Sequence, residues 1–115
     1  SPINPKGFNR DEETDRLDKI IEIINQRFGT DWTENDKLSL IQIGNDIIND
    51  AGLKQSALVN TKEDFKFSLE KKINDIISNR MDENRDFFIK LLTNKAIKDT
   101  LLAEMLTEYY SKLKE

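Results

Sequence analysis

Apolar residues in this chain recur every three or four positions, and no every-second-residue alternation persists long enough to suggest a sheet. Leu17, Ile20, Ile21, Ile24 and Phe28 share one face of a helix expected to start at Glu12. Asp11, Glu12, Glu13 and Asp15 crowd its first turns, where the helix dipole favours negative charge. Gly29 follows the last apolar residue and supplies the left-handed backbone that commonly ends a helix. Thr33, with Asp36 three residues on, has the spacing of a capping box and opens a second helix running to about Asp50. Leu38, Ile41, Ile47, Ile48 and Ala51 are its expected core positions. Gly44 inside it predicts a kink or a close helix approach, and Gly52 is expected to stop it.

Leu53 to Val59 allows a short helix or turn. Thr61 and Asp64 repeat the cap spacing ahead of a stripe formed by Phe65, Leu69, Ile73, Ile76 and Ile77. Residues Met81 to Asn84 predict a break. Phe87, Phe88, Leu91 and Leu92 make the next apolar face, and Thr93-Asn94 is the last boundary. Ile97, Leu101, Leu102, Met105, Leu106, Tyr109 and Leu113 complete the pattern. The fold class is therefore all-α, five to six helices in an irregular or orthogonal bundle. Residues 1–11, with Pro2, Pro5 and Gly7, read as a linker or extended lead-in, and residues 12–115 as a single helical domain. The start at Ser1 adds the expectation that the domain is a fragment of a larger subunit.

Composition narrows the chemistry. The chain has no cysteine and no histidine, which removes thiol nucleophiles, disulfides, and the commonest general base and metal ligand. No run approaches the ~20 apolar residues of a membrane span, and a cytoplasmic location is expected. Net charge is −4 and the pI about 5.0, against the basic surplus usual for autonomous nucleic-acid binding. The charge is uneven: residues 1–60 hold 7 basic and 11 acidic side chains, and residues 61–115 hold 11 of each.

Catalytic and metal readings fail on particular positions. Residues Asp31 to Asn35 alternate oxygens like a calcium loop, but Asp36 stands where the turn needs glycine and Gln42 where a bidentate glutamate is required. Glu70-Lys71-Lys72 contains the Glu-x-Lys of many metal-dependent nucleases, yet it lies in a helical period, not on a strand, and reads as a solvated face. No phosphate-cradling glycine loop is present. No catalytic, cofactor-binding or metal residue is assigned. The aromatics carry two readings: Phe28 and Trp32 flank a turn either as a plug locking two helices or, for Trp32, as an exposed anchor. The adjacent Tyr109 and Tyr110 must point in different directions. Arg80 and Arg85 have Asp82, Glu83 and Asp86 within reach. Trp32, Arg80, Arg85 and Tyr110 are the candidate partner surface.

One stretch goes beyond helical pattern. The order Leu17, Ile20-Ile21, Ile24-Asn25, Arg27-Phe28-Gly29-Thr30, Trp32-Thr33 and Asp36-Lys37 resembles the carboxy-terminal region of the restriction (HsdR, or motor) subunit of type I restriction-modification enzymes. Asn60, Phe65, Ile76, Arg80-Met81, Asn84 and Phe87 agree with it in order and spacing, whereas residues 38–59, including Gly44, depart from it. The resemblance implies a parent subunit that is an ATP-dependent DNA translocase and a type I site-specific deoxyribonuclease, using ATP and Mg in upstream domains whose motifs are not in these residues. It implies for this domain a non-catalytic role, without cofactor: docking the motor subunit, with its upstream domains, onto the methyltransferase and specificity subunits. DNA belongs to the parent complex and is expected to bind this domain weakly or not at all. Two rival readings are a DNA-contacting accessory domain using Lys66, Lys71, Lys72, Arg80, Lys90, Lys95 and Lys98, and a free-standing interaction adaptor.

Overall fold

The computed structural model describes the backbone from Arg10 and the side chains from Asp15 to Glu115, so residues 1–9 of the expected lead-in, 1–11, lie outside the described residues. Among the described residues six α-helices succeed one another: α1 (Arg10–Phe28), α2 (Glu34–Ile48), α3 (Ala51–Val59), α4 (Lys62–Asn79), α5 (Arg85–Thr93) and α6 (Lys95–Lys114). A short 3-10 turn, Met81–Glu83, separates α4 from α5, and the described residues contain no strand. The chain is an all-α bundle. Helix α1 begins at Arg10, ahead of the expected Glu12.

The junctions obey local capping chemistry. Gly29 ends α1 at φ +66°, its N–H donating to the Asn25 carbonyl at 2.9 Å. Asp36 accepts from the Thr33 N–H at 3.0 Å, closing the capping box at the start of α2. Asp50 accepts from the Leu53 N–H at 2.8 Å, Thr61 from the Asp64 N–H at 3.1 Å, and Asn94 from the Ile97 N–H at 3.2 Å. Each such side chain satisfies a donor that the first turn of its helix leaves without a backbone partner.

Helix α6 packs against all five other helices. Its Ile97, Leu101, Leu102, Met105, Tyr109 and Leu113 are buried, and they meet Leu17, Ile20 and Ile24 of α1, Phe65, Leu69, Ile73, Ile76 and Ile77 of α4, and Phe87, Phe88 and Leu91 of α5 in one core. Burying a large apolar side chain contributes about 1.5–3 kcal/mol, so this cluster is the main source of stability. Ion pairs cross the helices at its edges: Arg16 of α1 with Glu108 of α6, and Lys72 of α4 with Asp50 at 3.0 Å.

Helix α2 departs from its expected core face. Leu40, Ile41, Ile43 and Ile47 are buried with Lys37, Ser39 and Gly44, while Leu38 is exposed, Ala51 is exposed and Ile48 is half-buried. The cause is tertiary: α2 is covered by α1, α4 and α6, so it buries more than one face. The helix runs unbroken through the buried Gly44. Gly52 does not stop α2. It lies in the first turn of α3, because Asn49 and Asp50 end one helix and cap the next. Leu92, expected in the core, is 40% exposed on α5.

Candidate functional site

The residues that carry the family resemblance come from two stretches roughly fifty positions apart in the chain. The fold brings the Trp32–Asp36 end of the first stretch, at the corner between α1 and α2, against the Asn84–Phe87 end of the second, at the corner between α4 and α5. The first corner is organised by Asn25. Its Oδ1 accepts from the Thr30 hydroxyl at 2.6 Å and from the Trp32 N–H at 3.1 Å, while its Nδ2 donates to the Trp32 carbonyl at 3.4 Å. One amide thus ties the last turn of α1 to the loop after Gly29. Phe28 packs half-buried against the core, whereas Arg27 is exposed.

The second corner reaches across to the first. Asn84 donates to Asp36 Oδ1 at 2.9 Å and to Ser39 Oγ at 3.1 Å. The Asp36 carboxylate therefore caps α2 with one oxygen and holds the start of α5 with the other. Arg80 grips Asp46 of α2 through two parallel bonds, Nε to Oδ2 at 2.6 Å and Nη2 to Oδ1 at 2.9 Å. Its Nη1 meets the Glu83 carboxylate at 3.0 Å. The planar guanidinium suits this two-point grip, and hydrogen bonding to Asp46 and Glu83 raises its pKa well above the ordinary arginine range. Met81 is half-buried and packs against the hydrophobic core. Beneath the polar contacts, the Trp32 and Phe87 rings meet edge-on, centroids 4.8 Å apart at 73°, and Phe87 continues onto Phe88 at 5.5 Å.

Trp32 is 7% exposed, so it is the plug and not an exposed anchor for a partner. Its indole N–H finds no acceptor among the described residues, contrary to the expectation that a buried indole has one. Arg80 is held from both sides, which removes it from the candidate partner surface; Arg85 is exposed. The tyrosines diverge as their adjacency requires. Tyr109 is buried and takes a bond from Arg16 at 3.5 Å, while half-buried Tyr110 packs edge-on to Phe65 at 5.2 Å with Lys114 Nζ 4.3 Å from its ring centre. The Arg80–Glu83 pair was within reach of sequence reasoning because it lies one turn apart. Asp46 was not, because only the fold brings it to Arg80; Asn25 stands in the family-like order, but the pattern alone does not reveal that it ties α1 to the following loop.

Elsewhere the charged groups also brace helices. Lys37 is buried, its ammonium 2.8 Å from Asp18 and 3.1 Å from Glu34, and these carboxylates raise its pKa despite burial. Beside the start of α3 an open groove of about 290 Å³ is lined by Asp50, Gly52, Leu53, Ser68, Lys71, Lys72 and Asp75. Burial alone would raise the Asp50 carboxyl, but Lys72 and the Leu53 N–H outweigh it and hold the group below the usual carboxylate range. Among the described residues no three His, Cys, Asp or Glu side chains stand close enough together to hold a metal ion. No described helix is long and apolar enough to cross a membrane.

At about 100° per residue, Lys66, Lys71 and Lys72 leave α4 in different directions. Lys72 is paired with Asp50, Lys95 with Asp99 at 2.6 Å, and Arg80 with Asp46. Large apolar side chains left in water include Leu58, Val59 and Phe67 near the junction of α3 and α4, exposed by 54, 65 and 73%. Comparison of the chain with protein-family models, with curated proteins and with solved structures finds no match.

Proposed function

We propose that this chain is a non-catalytic helical assembly domain of the motor subunit of a type I restriction enzyme, docking that subunit onto the methyltransferase–specificity core in the cytoplasm. One observation carries the reading. The two stretches that resemble the family meet in space, through Trp32 on Phe87 and Asp36 on Asn84. Two short strings far apart in a chain can each arise by chance, but residues that interlock describe one three-dimensional unit. The chemistry agrees: Asp36, Asp46 and Arg80 are engaged in holding helices together, and the sequence supplies neither imidazole nor thiol. Nuclease and ATPase activity, with the ATP and Mg they use, belong in this proposal to other domains of the parent subunit.

The test compares the parent motor subunit with a version lacking residues 12–115 in complex formation with its methyltransferase and specificity subunits. Loss of the complex with ATPase activity retained is the expected result. Equal complex formation by both versions rejects the assembly role. Contact with DNA is the main rival, and the pairing of Lys72, Arg80 and Lys95 with carboxylates, together with the divergence of the α4 lysines, speaks against it. A gel shift by the domain at low salt that fades steeply as salt rises would favour that rival. Complex formation with a partner outside restriction-modification would favour a free-standing adaptor.

A further inference from the structure

We draw no further inference here: the strongest candidate, the exposed apolar surface formed by Leu58, Val59 and Phe67 near the α3–α4 junction, is an unpartnered face, and nothing in the structure shows what covers it.

Discussion

The Arg80–Asp46 contact offers the sharpest test of how the α4–α5 corner is held to the last turns of α2. Two parallel bonds of 2.6 and 2.9 Å link the side chains, which are 24 and 28% exposed. Fully exposed ion pairs contribute ~0.2–1 kcal/mol, whereas breaking a fully buried one costs ~3–5 kcal/mol. This pair lies between, and its fork geometry favours strong hydrogen bonds, so a coupling energy of about 1.5 kcal/mol is expected. Arg80→Ala should cost about 2 kcal/mol, because it also loses the Glu83 contact and the packing of the aliphatic stem. Asp46→Ala should cost about 1.5 kcal/mol, since Arg80 keeps Glu83. Arg80→Lys retains the charge without the fork and should recover less than half of the loss. The assay is a double-mutant cycle in urea, an uncharged denaturant that does not screen the pair, monitored by far-UV circular dichroism. Unrelated sites add within ~0.5 kcal/mol, so a coupling below that value would refute the claim that this bridge holds the α4–α5 corner to α2.

Three further outcomes are expected on the same physical grounds. Phe65 and Phe67 sit two residues apart on α4, one fully buried and the other 73% exposed; Phe65→Ala should lose ~3–5 kcal/mol and Phe67→Ser less than ~0.5 kcal/mol, read as urea midpoints. At Gly29, φ is +66° and an added Cβ would meet nothing within 4 Å, so Gly29→Ala should cost only the backbone penalty of ~1–2 kcal/mol. Gly29→Asn should cost less, and equal losses for the two would discount that explanation. Asp50 titrates below its ordinary range; its contribution is fully present above its unfolded pKa of ~3.9 and is lost as pH falls through the lower folded value. Asp50→Asn should therefore narrow the stability gap to the parent chain below about pH 4, and parallel pH profiles for the two proteins would contradict the assignment.

What the sequence reveals about this fold depends on how local the cause is. The α4 stripe of Phe65, Leu69, Ile73, Ile76 and Ile77 is buried as its period requires, because that helix presents one face to the core. The caps at Thr33 and Thr61 are equally legible, since each needs only a side-chain oxygen and an N–H three residues apart. Helix α2 resists such reading: its apolar residues fit two overlapping stripes, and covering by three neighbours decides between them. Gly52 misleads for a related reason, because a glycine near a helix boundary marks an end or a beginning depending on whether Asp50 caps the next helix. At the candidate site, Arg80 could be matched with Glu83 from spacing alone, but the link to Asp46 spans 34 residues and exists only in the folded chain.

The chain contains one tryptophan, and it lies where the two corners meet, shielded from water and edge-on to Phe87. Its emission therefore reports on a single location. Local fraying of the α4–α5 connector would redden the spectrum while helicity persisted, and cooperative melting would shift both signals together. The placement of this indole lets an unlabelled sample distinguish a loosened joint from a lost fold.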